Sequence, residues 1–189
     1  MNIHPFLWIR DTALKGTFLA AATLAIAAML VLQSLGAPLQ TLEAPAGIVS
    51  FELAGNLANS AAILASWDPA AKVSAGVNLG LDYLFIVAYV AAIGIACMLV
   101  SYHFKRNMRH WGMAGILLAW GILLAGVLDC VENYALISLL LGSQAGILPV
   151  VARFCAIPKF TLVFLGLIYV LIGSVASVLM SPGGRKSAA

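Results

Sequence analysis

Charge is what this chain has least of. Only 9% of its 189 residues are charged, against about a quarter in an ordinary soluble domain. That excludes a water-soluble globule, because too few polar groups exist to cover a folded surface. Cysteine is almost as scarce: Cys97, Cys130 and Cys155 form no CxxC pair and no ligand-spaced cluster. That spacing argues against redox chemistry. The three read as small apolar filler, with a Cys130–Cys155 disulfide as the alternative. There is no internal repeat, no glycine-rich phosphate loop, no HExxH and no GxSxG. Histidine is confined to His4, His103 and His110, all beyond the long apolar runs.

What the chain has instead is apolar length, with 63% of its residues hydrophobic. Four stretches, near 14–36, 79–102, 111–141 and 149–180, exceed the roughly 20 helical residues that span about 30 Å of hydrocarbon. Their apolar residues run on without the two-residue alternation of a membrane barrel, so helices are expected. The first stretch carries the marks of a signal peptide, with Arg10 and Lys15 before it and Ser34 and Gly36 after it. It is longer than the roughly 7–15 apolar residues of such a peptide and reads as an uncleaved anchor.

The few cations give a direction. Arg10 and Lys15 precede the first span, Lys105, Arg106 and Arg109 join the second to the third, and Arg185 and Lys186 follow the fourth. The first outer segment holds Lys72 alone, beside Glu43, Glu52 and Asp68. The positive-inside rule then predicts cytoplasmic termini and a cytoplasmic 103–110 loop. This bias accounts for the basic balance, so nucleic acid is not expected as a partner. Trp8, Trp67, Trp111 and Tyr102 fall where amphipathic rings favour membrane interfaces.

Residues 37–78 form the only sizeable segment between spans. Within it, 44–67 has helical character, with Glu52, Asn56, Asn59 and Ser60 at i, i+4, i+7 and i+8. One amphipathic helix lying over the bundle is expected there. Asp68 before Pro69 predicts a capped helix start, with Gly76, Asn78 and Gly80 as candidate breaks before the second span. Asp11 and Thr12 suit a cap for the first helix. The fourth helix begins either near Pro149, after a short turn, or near Pro158, after a long loop. The tail 181–189 reads as a flexible end.

The third span holds the anomaly. Asp129, Glu132 and Asn133 are spaced i, i+3 and i+4 and so share one helix face. That face continues through Gly126, Ile122, Ala119 and Gly115, while Leu117, Leu124, Leu128 and Val131 take the other side. Small residues mark helix contacts in membranes, so the carboxylates should point inward. Asp82, Phe85 and Tyr89 share a face of the second helix, at a comparable depth. Lys159 aligns with Val163, Gly166, Gly173 and Ser177 on the fourth and, in the short-turn alternative, lies level with Glu132. Asp82, Asp129 and Glu132, with Glu52 above them, thus face Lys159 and Arg153.

An isolated charge at a helix centre costs about 2.5–3.5 kcal/mol on insertion scales, so these groups should pair, take up protons, reach water or hold a cation. Three readings follow: a network that fixes helix packing, a ligand or ion site, and an intramembrane enzyme using carboxylates with Tyr89 or Tyr134. Carboxylates alone suit Mg²⁺, and the identity of any metal stays open. The ligand or ion candidates are Asp82, Tyr89, Asp129, Glu132, Asn133 and Lys159, with Glu52, Asn56 and Arg153 secondary. No catalytic residue and no cofactor is expected. The partners expected are the lipid bilayer and a small ligand, a cation or another membrane protein.

Asp-x-x-Glu-Asn in a third span, followed by a lysine early in a fourth, resembles a pattern in small bacterial four-span membrane proteins of uncharacterised function. The resemblance covers most of the chain. It implies a four-span fold and marks Asp129, Glu132, Asn133 and Lys159, and it implies no activity. The expectation is one all-α integral membrane domain over 1–189, a four-transmembrane-helix bundle in a bacterial cytoplasmic membrane. Its function is expected to be non-enzymatic, as an accessory or binding component, with a small transporter or ion- or proton-binding protein as the alternative.

Overall fold

A computed structural model describes residues 4–104 and 108–179. Lys105, Arg106, Arg185, Lys186 and the tail 181–189 lie outside the described residues. Among the described residues six α-helices follow one another: α1 (Asp11–Gly36), α2 (Ile48–Glu52), α3 (Leu57–Ser66), α4 (Pro69–Phe104), α5 (Arg109–Leu140) and α6 (Ile147–Leu179). Four of them, α1, α4, α5 and α6, are long and apolar enough to cross a membrane. A single 3-10 turn, Ala37–Leu39, follows α1.

Helix α4 is the hub, packed against α1, α5 and α6, while α5 also lies along α6. Glycines set how closely these helices approach. A side-chain carbon added to Gly126 would lie 2.6 Å from Val90 of α4, and one on Gly166 would lie 2.8 Å from Ile122 of α5. Small residues at such crossings replace the hydrophobic drive that lipid cannot supply. Large apolar side chains such as Leu117, Leu124, Phe164 and Leu171 point away from the bundle.

Two apolar clusters divide the interior. One, with Leu39, Phe51, Trp67, Leu79 and Leu136, lies at the end covered by α2 and α3. The other, with Phe6, Leu14, Met98, Phe104 and Tyr169, lies toward the opposite end. Along α4, α5 and α6 the carboxylates and Lys159 fall between these clusters.

Several expectations are corrected. Helix α4 runs unbroken through Gly76, Asn78 and Gly80. Ser74 Oγ and Asn78 Nδ2 instead donate to the carbonyls of Leu35 and Leu32, at 2.7 and 2.8 Å, tying α4 to the end of α1. The 44–67 stretch is two short helices, not one. The chain breaks at Gly55, whose φ of 73° only glycine adopts at no steric cost. The expected stripe is thereby split: Glu52 and Ser60 are buried, while Asn56 and Asn59 are exposed. Asn56 is the N-cap of α3, its side chain accepting from the Asn59 amide at 2.8 Å. At α1 the N-cap is Arg10, with no side-chain cap from Asp11 or Thr12.

Trp67 is buried beneath α2 and α3, donating from Nε1 to the Leu39 carbonyl at 2.9 Å. Asp68 does cap α4, accepting from the Ala71 amide at 2.7 Å. The α5–α6 connection is the short turn, with α6 starting at Ile147 and Pro158 inside it. All three cysteines are free, so Cys130 and Cys155 are not joined.

Candidate functional site

The polar layer is assembled from four elements. On α5, the i, i+3, i+4 spacing places Asp129, Glu132 and Asn133 on the inward face, all buried. Helix α6 brings Lys159 opposite them, about 18 Å from its start at about 1.5 Å per residue. From α4 come Asp82 and Tyr89. From above comes Glu52, the last residue of α2, a helix bracketed by Gly47 and Gly55, both at positive φ.

Lys159 is the centre of the network. Its Nζ donates to Glu132 Oε1 at 2.8 Å and Asp129 Oδ1 at 2.9 Å, and lies 3.7 Å from Glu52 Oε2. It also stands 4.7 Å from the centroid of the neighbouring Phe160 ring, a cation–π distance. Tyr89 donates its hydroxyl to Asp129 Oδ2 at 3.0 Å, so both Asp129 oxygens are satisfied. Asn133 Nδ2 donates to Asp82 Oδ2 at 2.7 Å. One ammonium thus ties α2, α5 and α6 together, while Tyr89 and Asp82 draw in α4.

The charges do not balance. Four carboxylates occupy the layer, and the only ion pairs to them among the described residues are the three made by Lys159. Two carboxylate oxygens, Glu52 Oε2 and Glu132 Oε2, are buried without a hydrogen-bond donor. Orphan acceptors are costly in a low-dielectric interior and mark a place where a proton or a cation would be welcome. Glu52, which lies outside the spanning helices, has its carboxyl pushed above the usual 4.5. Burial is the largest cause, the Lys159 charge and a hydrogen bond with the adjoining Glu132 carboxyl pull the other way, and the charges of Asp129 and Asp82 add to the rise.

An open cleft of about 360 Å³ reaches this layer from the α1 side. Met29, Leu32 and Leu79 are among its apolar wall residues, and its polar lining includes the acids Glu52 and Asp82 and the amides Gln33, Gln40, Asn78 and Asn133. Met29 and Leu32 carry no polar signal in the sequence, and only the docking of α1 on α4 brings them to the site.

Two expected secondary residues are elsewhere. Asn56 is exposed at its capping position and takes no part. Arg153 is exposed on α6, folded over Gly55, and lines a separate hollow with Glu43 and Asn59. The second cation expected for the network is therefore absent from it. Six residues separate Arg153 from Lys159, which at about 100° per residue turns them roughly 120° apart on the helix. Tyr134 is 66% exposed and faces away from the carboxylates, leaving Tyr89 as the phenol of the layer. Among the described residues, no three His, Cys, Asp or Glu side chains stand in a geometry that would hold a metal ion.

Compared with protein-family models, with curated proteins and with solved structures, the chain matches none of them.

Proposed function

We propose that this chain is a small multi-pass protein of a bacterial cytoplasmic membrane, a non-enzymatic binding component whose polar layer takes up positive charge. One observation carries the reading: the layer holds four carboxylates, Lys159 pairs with three of them, and two carboxylate oxygens are buried without a donor. Such an arrangement organises the helices through Lys159 and leaves capacity for a proton or a cationic ligand. The bacterial membrane rests on the resemblance of the Asp-x-x-Glu-Asn and lysine pattern. The orientation, with both termini cytoplasmic and α2 and α3 outside, rests on where the lysines and arginines fall.

Orientation is tested by single cysteines at the exposed positions Ala58 and His110 in a background without native cysteines. A membrane-impermeant thiol reagent applied from outside should label the first and spare the second. Equal labelling from one side would reject the topology.

Charge uptake is tested by infrared titration of the purified protein. The raised Glu52 carboxyl gives the sign. Its folded form holds a proton above pH 4.5, so it contributes stability that is full below that pH. That contribution is lost as pH rises through the folded pKa. A protonated-carboxyl band is expected to persist above pH 4.5, fading on alkalinisation and diminished in Glu52→Gln. The same variant should flatten the fall in Tm with rising pH. The absence of any such band across the titration would leave the reading without support.

A further inference from the structure

Asp82 stands apart from the other three acids. Glu52, Asp129 and Glu132 each lie within ion-pair reach of Lys159, and Asp82 does not. Its partner is a neutral one, the Asn133 amide at 2.7 Å, which fixes the direction of the carboxylate without cancelling its charge. It is also only partly buried, at the foot of the cleft. A carboxylate inside an apolar bundle, with no cation beside it and an open path to it, calls for a counter-charge from outside the chain.

The other acid in the cleft sharpens this. Glu52 is 8% exposed and lines the same space from α2, its buried Oε2 turned toward Lys159 without a hydrogen-bond donor. Its ion pair with Lys159, at 3.7 Å, is the longest of the three. Two acids therefore face one cleft from different elements, one unpaired and one weakly paired.

The walls select the kind of cation. A hard metal ion is best held by several charged oxygen ligands at once, and only two carboxylates, Asp82 and Glu52, line the cleft. The rest of the wall is neutral, with hydrocarbon from Met29, Leu32 and Leu79 beside the amides Gln33, Gln40 and Asn78. A primary ammonium carries three N–H donors and no acceptor, which suits carboxylate oxygens on two sides. An alkyl chain attached to it would lie along the apolar wall. The space, about 360 Å³, falls at the small end of ligand pockets, which run from about 300 to 1,000 Å³.

We infer that the cleft binds a small primary alkylammonium, its head between Asp82 and Glu52 and its carbon chain against Met29, Leu32 and Leu79. This rests on the reading that the layer takes up positive charge. Two sources offer the same chemistry, a free amine and the ethanolamine headgroup of a lipid.

The test uses the full chain in phosphatidylcholine nanodiscs, titrated with butylammonium or 1-butanol, with Tm as the readout. Butylammonium should raise Tm saturably, at a midpoint at least tenfold below that of butanol. Asp82→Asn should weaken the response at least fivefold. Met29→Trp, which fills the cleft and leaves both acids in place, should do the same even if Asp82→Asn folds poorly. Nanodiscs containing phosphatidylethanolamine, without added amine, form the second arm. Stabilisation there that is lost in both variants identifies the headgroup as the source. Equal responses to amine and alcohol, with no dependence on phosphatidylethanolamine, would overturn the inference. If the carboxyl band of the infrared titration persists in that case, ammonium recognition alone has failed; if it is missing too, the charge-uptake reading falls with it.

Discussion

Replacing Lys159 by methionine should lower the stability of the folded protein by about 3–5 kcal/mol, the usual cost of removing one partner from a buried ion pair. Methionine keeps most of the side-chain length and leaves no cavity, so the loss reports charge rather than packing. Without the ammonium, Asp129 and Glu132 lose hydrogen bonds of 2.9 and 2.8 Å, and three buried carboxylates face one another. The penalty should shrink as pH falls, because protons then substitute for the missing cation. Arg153→Met supplies the contrast. That side chain is exposed and outside the network, so its removal should change stability by no more than about 0.5 kcal/mol. Unfolding of both variants in the same detergent, at pH 5 and pH 8, checks the pair. Equal losses would mean that position on α6 is immaterial.

The second large effect is steric. Gly126 lies on the α4–α5 crossing, where an added side-chain carbon would fall 2.6 Å from Val90 and 3.4 Å from Ile86. Gly126→Leu must push the two helices apart, an overpacking usually worth about 1–3 kcal/mol. Asp129 follows Gly126 by less than one helical turn, so the shift should also loosen its 3.0 Å hydrogen bond with Tyr89. Gly80, on α4, has nothing within 4 Å of the same added carbon. Gly80→Leu should therefore be close to neutral, although both replace glycine within a long helix. Thermal unfolding of the two proteins checks this, and comparable losses would show that glycine composition, not the crossing, matters.

Much of the site was legible because helix periodicity needs no tertiary information. Asp129, Glu132 and Asn133 had to share a face, and the small residues below them on α5 identified it as the inward one. The same reasoning aligned Lys159 with Gly166 and Gly173, and all three are buried. Arg153 was misplaced by counting cations without turning the helix, since its angular distance from Lys159 was open to calculation. The break at Gly55 was hidden for another reason. A polar stripe can be counted straight through a glycine, whereas the positive φ there belongs to a chain path set by α2 docking above Lys159. That Asp82 would be the acid without a cation was beyond the sequence altogether. It depends on the rotation of α4 relative to α6, which side-chain packing decides.

The view of the polar layer as one coupled unit is tested most directly by a double-mutant cycle in the membrane-reconstituted protein. Lys159→Met and Glu132→Gln are made singly and together, and the free energy of unfolding is measured for all four proteins. Residues sharing one buried network couple by about 0.5–3 kcal/mol, and Nζ and Oε1 are 2.8 Å apart. The double variant should therefore be clearly more stable than the sum of the two single losses allows, because removing the acid relieves a carboxylate left without its cation. Strict additivity would contradict the network and, with it, the placement of Lys159 at its centre.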